Sequence, residues 1–251
     1  MTFHGSDVLG SVAANGRYTL LGGALTRVSA IVAKYADTAI IVAEHFKKFL
    51  PRREYHVLPT GVDLEKFRPL GMKLARSRLG MKLDVPIILF GAPPSTAVKR
   101  FALAREVWKR VRAKHVNCEL LCLDKVPHSV VPLYINAADC LLLTSFHEGS
   151  PTIVKEALAC NVPIVSVDVG DVRCRVKGLK ECFVSESLDP EALARAVIAS
   201  FRARPTFEGR HAVVDLDLPR IAERLLSIYE SSLRKAAERS GGTRASVHVE
   251  R

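Results

Sequence analysis

Two acidic residues, Glu148 and Glu156, stand eight positions apart. The first lies in the polar run His147-Glu148-Gly149-Ser150-Pro151 and the second between Val154 and Ala157-Leu158. The pattern predicts a strand over 139–144, then a loop, then a helix over 151–160. A loop acid and a helical acid about two turns away can face one pocket. Carboxylates so placed accept hydrogen bonds from the paired hydroxyls of a sugar or a ribose. Gly149 lets the backbone approach a ligand closely. The Gly149, Ser150 and Thr152 amides, around Pro151 at the helix start, can donate to hydroxyl or phosphate oxygens. Residue types alone leave a plainer reading equally open, in which Glu148 caps the helix and Glu156 lies on its surface.

A second loop follows the strand predicted over 86–91. It runs from Gly91 to Lys99, and Lys99 and Arg100 open the next helix. Cations there can neutralise a pyrophosphate, although a solvated basic turn accounts for them as well. No GxGxxG follows that strand and no P-loop occurs, which weighs against dinucleotide redox chemistry and ATP hydrolysis. A third strand end carries Val169-Gly170-Asp171-Val172-Arg173. The chain opens on His4-Gly5-Ser6-Asp7, a polar cluster that implies nothing on its own.

The elements that must position these residues alternate. A helix is expected over 20–35, a short strand over 38–42, a helix over 44–50 and a strand over 55–58 that ends in Pro59-Thr60-Gly61. The stretch 70–84 is basic and weakly apolar, and a domain boundary is placed at its start. Beyond it, apolar strands over 86–91, 119–123, 139–144 and 162–167 alternate with helices. Such continuous apolar runs predict a parallel sheet covered on both faces. Asp189-Pro190-Glu191 marks a helix start. A last amphipathic helix begins near Asp217. The division expected is 1–69, 70–237 and a disordered tail over 238–251.

Bulk properties fit a globular chain: 251 residues, 48% hydrophobic, with a net charge of +11. The basic residues between 99 and 114 alternate with apolar ones at helical spacing, so they read as the solvated face of a helix. No base-reading motif accompanies them, and no nucleic-acid partner is expected. The six cysteines form no CxxC pair and read as small core residues in a reducing compartment. No signal peptide or bilayer-length apolar run is seen, so a cytoplasmic protein is expected, with peripheral membrane contact allowed.

Taken together, these segments resemble the family 4 retaining glycosyltransferases, which have the two-Rossmann GT-B fold. The stretch 139–173, with Phe-His-Glu-Gly-Ser-Pro and Lys-Glu-Ala-Leu-Ala-Cys-Asn-Val-Pro-Ile-Val, is similar to that family's donor site. Its two glutamates correspond to Glu148 and Glu156. Thr60-Gly61-Val62-Asp63 looks like the family's hinge, where Asn usually stands at the position of Thr60. His4-Gly5-Ser6-Asp7 is similar to a motif of its N-terminal domain.

The resemblance implies a complete doubly wound donor-binding domain, an incomplete acceptor-side domain before it, and transfer of a sugar from a nucleotide diphosphate. Glu156 would hold the ribose. Glu148 and the backbone of Gly149, Ser150, Pro151 and Thr152 would lie against the transferred sugar. Lys99 would meet the diphosphate, with Arg100 standing in for the Arg that the family has where Ala92 occurs. His4 would approach the sugar from the opposite domain. No metal or other cofactor is expected. The acceptor, a saccharide, lipid or small molecule, stays open. The resemblance also implies that the family's opening strands are missing, so donor binding is expected to survive better than transfer. Two alternatives remain at this point: a nucleotide-binding domain without catalysis, and a sugar-nucleotide epimerase of the same fold.

Overall fold

Two parallel sheets organise the chain, and most strand residues are buried on both faces. The computed structural model describes residues 1–13, 15–51, 54–114 and 117–239. The first sheet has the order β1 (Thr2–Phe3), β2 (Ile40–Ile41), β3 (His56–Val57). Helices α1 (Ser6–Leu9) and α2 (Leu20–Tyr35) connect β1 to β2, and a 3-10 helix (Glu44–Lys48) leads on towards β3. Helix α3 (Met72–Arg78) precedes the second sheet.

That sheet comprises β4 (Ile87–Phe90), β5 (Glu119–Cys122), β6 (Cys140–Leu143), β7 (Ile164–Val167) and β8 (Phe183–Ser185), in the order β5-β4-β6-β7-β8. All its pairings are parallel. Helices α4 (Phe101–Lys114), α5 (Val131–Ala137), α6 (Thr152–Ala159) and α7 (Val172–Arg175) connect successive strands. Helix α8 (Pro190–Ala203) follows β8, and α9 (Leu218–Arg239) ends the described chain.

The pleat explains why the central strands are apolar throughout. Ile87, Leu89, Leu141, Leu143 and Ile164 point into one core with α5 and α6. Their neighbours Ile88, Phe90, Cys140, Leu142 and Val165 point into the other, with α4 and α8. Successive side chains of a strand face opposite ways, so a strand covered on both sides needs apolar residues at every position. This is the doubly wound arrangement that the alternating pattern predicts.

Local signals act as expected in α8, whose N-cap Asp189 accepts from the Glu191 and Ala192 amides at 3.0 and 3.1 Å. The basic helix α4 buries Ala104, Val107 and Val111. Its outer face is an ion-pair lattice in which Arg110 meets Glu106 and Lys114 meets Glu191 at 2.8 Å.

Other expectations need correction. Within 44–50 the chain forms a 3-10 helix, Glu44–Lys48, in place of the expected helix. Strand β8 and a 3-10 helix over Arg210–Leu216 carry no clear periodicity. Cys118, Cys140 and Cys160 are buried, but Cys174 is exposed on the one-turn α7. Glu238 and Arg239, placed in the tail by the sequence, are helical, and Arg239 pairs with Asp37 at 2.7 Å. The rest of that tail, 240–251, lies outside the described residues. Helix α9 returns towards the first sheet, where Ser232 meets Thr38 at 2.7 Å.

The weakly apolar stretch 70–84 hides α3, and α3 carries the largest fully buried side chain among the described residues, Arg76. Its guanidinium donates to the Ala137 carbonyl at 2.8 Å, the Leu83 carbonyl at 2.6 Å and the Asp139 carboxylate at 2.6 Å. Asp139 also accepts from the Ile87 amide at 2.6 Å. The pair thereby staples α3 to the amino ends of β4 and β6. Burial raises the Asp139 pKa against the pull of Ile87 and Arg76. Replacing Arg76 with Met leaves that carboxylate buried without its charge partner. Arg76→Met is expected to cost about 3–5 kcal/mol in urea unfolding. A loss below about 1 kcal/mol would assign α3 no such role.

Candidate functional site

The connector between the sheets is pinned to the second one. Val62 pairs with the chain before α9, its amide donating to the Leu216 carbonyl at 2.8 Å. Arg210 holds the Leu64 and Phe67 carbonyls, each at 2.6 Å. Asn136 accepts from the Leu70 amide at 2.8 Å and donates to the Arg68 carbonyl at 3.1 Å.

Against this frame, the loop after β6 meets the first sheet at Gly149. A Cβ there would overlap the His4 carbonyl oxygen and crowd Val42 at 2.9 Å and Phe46 at 3.0 Å. Only glycine allows the backbones to touch. Gly170, at φ +61°, closes the other side, where a Cβ would stand 2.7 Å from the Gly149 carbonyl oxygen.

A cavity of about 590 Å³ opens at this junction. It is lined from the first sheet's side by His4, Gly5 and Ser6, and from the second by Lys99, Glu148, Gly149, Ser150, Pro151 and Thr152. Asp7 shapes the His4 turn: its carboxylate accepts from the His4 amide at 3.0 Å and the Gly5 amide at 2.6 Å. Lys99, at the end of a 3-10 helix (Ala97–Lys99), donates to Glu148 Oε1 at 2.6 Å. The Ser145 hydroxyl donates to the same oxygen at 2.6 Å. Helix α6 begins at the cavity wall with no side-chain cap, so its first amides have no side-chain acceptor there and the positive end of the helix lies at the wall. The cavity thus offers an ammonium, a carboxylate, a glycine backbone and a helix start. That set can neutralise a diphosphate and accept from sugar hydroxyls.

Two sequence-predicted residues stand elsewhere. Arg100 has a left-handed backbone (φ 54°), lays its guanidinium over the Phe146 ring at 4.0 Å and donates to the Ser145 carbonyl at 3.1 Å. It lines a neighbouring cavity with Asn15, Pro94 and Phe101. The expected approach of both cations to one diphosphate is not what the backbone sets up here. Glu156 faces the connector instead of the cavity that Glu148 lines. It is mostly buried, its Oε1 3.7 Å from His128 Nε2, and burial raises its pKa while His128, Lys66 and Lys155 pull it down. Lys66 stands 2.5 Å from His128 Nδ1. With Lys66 donating there, the ring proton sits on Nε2, towards Glu156.

Several residues around the site escape sequence reasoning. His147 stacks on Tyr18 with ring centroids 5.8 Å apart. Burial lowers its pKa, and its Nε2 is buried with no hydrogen-bond partner among the described residues. A second cavity of about 640 Å³ shares His147 and Glu148 with the first and extends to Tyr18, Arg27 and Phe49. Lys155 is fully buried beneath the loop. The one available signal was its position, a lysine on the apolar side of a helix beside Val154. Among the described residues no three His, Cys, Asp or Glu side chains are grouped to hold a metal. No helix there is long and apolar enough to cross a membrane.

Two parallel-sheet units facing each other across a cavity define the GT-B fold. Solved structures share it. The chain superposes on sucrose-phosphate synthase from Thermosynechococcus elongatus with a TM-score of 0.67 at 18% identity, covering 89% of this chain and 64% of the other. On Anabaena HepE in complex with UDP and glucose the TM-score is 0.65 at 14% identity, covering 83% and 67%. Residues 82–202 match the family model described as glycosyl transferases group 1. A D-inositol 3-phosphate glycosyltransferase of Geodermatophilus obscurus is 25% identical across 84% of this chain and 54% of its own. Over residues 82–202, nearly half of its length, the chain is similar to the group 1 glycosyl transferases. It spans about half the length of the curated relatives it matches.

The Gly149 contact makes a direct prediction. Gly149→Ala forces its methyl group against the His4 backbone, which cannot turn aside as a side chain can. Overpacking of this kind costs about 1–3 kcal/mol. The strain should appear at the junction, as faster hydrogen exchange over residues 3–8 with β4, β6 and β7 still protected. Unchanged exchange at 3–8 would mean that the two sheets do not lean on Gly149.

Proposed function

We propose that the chain takes part in transferring a sugar from a nucleotide diphosphate donor to an acceptor hydroxyl, with retention at the anomeric carbon. The observation that carries this reading is the junction cavity, which gathers His4, Lys99, Glu148 and the start of α6. The match of residues 82–202 to that family supports it, as does a fold shared with a protein solved with UDP and glucose.

The bond from the anomeric carbon to the β-phosphate oxygen breaks as the nucleoside diphosphate leaves. Lys99 and the amides at the start of α6 neutralise the charge that develops on it. The acceptor oxygen attacks the same face, and its proton passes to the departing phosphate. Glu148 and His4 hold the transferred sugar from opposite sides. Glu156 takes the ribose hydroxyls, with His128 turning aside, and Arg100 acts through the placement of Phe146 and Lys99. The acceptor is a saccharide, a lipid or a small molecule.

Lys99 and the helix start neutralise the diphosphate without a metal. UDP affinity measured by calorimetry should therefore survive EDTA. A collapse in EDTA that magnesium or manganese reverses would overturn this account of the diphosphate.

Glu156→Ala removes a charged hydrogen-bond acceptor worth about 1.5–3 kcal/mol, so UDP affinity should fall about tenfold or more. An unchanged dissociation constant in a folded variant would remove Glu156 from the ribose. Glu148→Gln should leave UDP binding within about threefold while sugar transfer, followed by release of UDP from UDP-glucose with added acceptor, is lost. Equal transfer by both proteins would refute the role given to Glu148.

A further inference from the structure

Lys155 is the one lysine among the described residues with a fully buried side chain. It extends from α6 beneath the 148–152 loop, and all four of its acceptors are neutral oxygens. Nζ donates to the Thr60 carbonyl at 2.8 Å, the Thr60 hydroxyl at 2.5 Å and the Ser150 hydroxyl at 2.5 Å, with the Ser150 carbonyl at 3.3 Å. The two hydroxyls pass their own protons onward. Ser150 donates to Asp171 Oδ2 at 2.6 Å, and Thr60 donates to the Ser150 carbonyl at 2.9 Å. The ammonium therefore reaches its nearest balancing charge through a single hydroxyl. Its three protons join the connector turn at Thr60 to the loop that carries Glu148 and Gly149.

We infer that Lys155 is a positioning residue for the donor loop, whose ammonium fastens residues 148–152 to the Thr60 turn and so fixes the amides and carboxylate presented to a nucleotide diphosphate. The inference rests on the sugar-nucleotide reading of the cavity. A neutral amine has two N–H donors and a lone pair. It cannot serve the two Thr60 oxygens and the Ser150 hydroxyl together. The Ser150 proton can then turn onto the amine and release Asp171, which leaves the loop without one of its anchors.

The charges around Lys155 come from several elements. Asp171 precedes α7, Arg175 stands on α7, Glu156 on α6 itself and Asp215 in the 3-10 helix Arg210–Leu216. The three carboxylates favour the ammonium and Arg175 opposes it, but burial outweighs them and brings the pKa down from 10.5 to about 8. The sign for stability follows. Between about 8 and 10.5 the unfolded chain holds more protons than the folded one, so this group makes stability rise with pH. Its effect on the loop runs the other way, since the anchor weakens as the proton leaves. A lysine with only a packing role produces the first trend and not the second.

The test measures UDP binding by calorimetry on the whole chain between about pH 7 and about pH 9. Wild-type affinity should fall several-fold over that range. Lys155→Met should bind UDP about tenfold more weakly at the lower pH and show no such fall. Thr60→Val, which keeps the lysine, should bind more weakly than wild type yet keep the pH dependence; it decides the matter if Lys155→Met does not fold. A readout free of nucleotide accompanies these: the amide NMR signals of Gly149 and Ser150 should titrate with a midpoint near 8 in wild type and stay fixed in Lys155→Met. Equal UDP affinity and pH profile in wild type and the folded variants would overturn the inference, as would amide signals that do not move in wild type. Failure of wild type to bind UDP at all would count against the sugar-nucleotide reading instead, and the amide titration would then decide the role of Lys155 alone.

Discussion

The approach of the Gly149 backbone to the His4 carbonyl sets the distance between the two sheets. Every other feature of the site inherits that spacing. The cavity has two walls only because the loop after β6 reaches the turn after β1, and its depth is what remains once those backbones touch. Phe46 and Val42 press on the same glycine, so the packing of the first sheet's core bears directly on the loop that carries Glu148. A mutation inside that small core can therefore alter the site without touching a polar residue. The connector holds this spacing from below, through Arg210 and Asn136.

Charge at the cavity is paired in advance. Lys99 is held by Glu148, and Glu148 by the Ser145 hydroxyl. A pre-set ammonium costs little reorganisation when it meets a phosphate, which is the physical basis of electrostatic preorganisation. The pairing has a consequence for binding. A diphosphate must compete with Glu148 for Lys99, and a sugar hydroxyl that donates to Glu148 eases that competition. On the proposed sugar-nucleotide reading, sugar and diphosphate would bind cooperatively, each loosening for the other the one ion pair between Lys99 and Glu148.

The sheet was legible because its signal is one-dimensional. Ile87–Phe90, Cys140–Leu143 and Ile164–Val167 are continuous apolar runs, and a strand buried on both faces has no other way to read. Helix α2 and the cap at Asp189 carried equally local signals. The glutamate spacing, Gly149 and the His4 turn carried the resemblance, and the structure brings His4, Lys99 and Glu148 to one cavity. What stayed hidden depends on distant partners. Arg76 looked like part of a basic surface because its three acceptors lie outside α3. Arg100 looked like a second phosphate ligand because nothing local announces a left-handed backbone at an arginine. Lys155 gave no sign of its anchoring role because its partner Thr60 lies ninety-five positions away.

The cations of the second sheet divide along the strand direction. Arg76 and Asp139 lie at the amino ends of β4 and β6, where the guanidinium is closed off by two carbonyls and a carboxylate and the Ile87 amide completes the set. Nothing there is left over for a ligand. Lys99 and Lys155 lie at the carboxyl ends, beside the loops that open outward, and neither is matched so completely. Lys99 shares its partner with Ser145, and Lys155 has neutral oxygens alone. In a parallel sheet the carboxyl ends are where ligands bind, and the imbalance supplies the reason in this chain. A buried charge satisfied by its own fold adds a staple, whereas a charge held by hydroxyls and a loop leaves its position dependent on what else comes to the site.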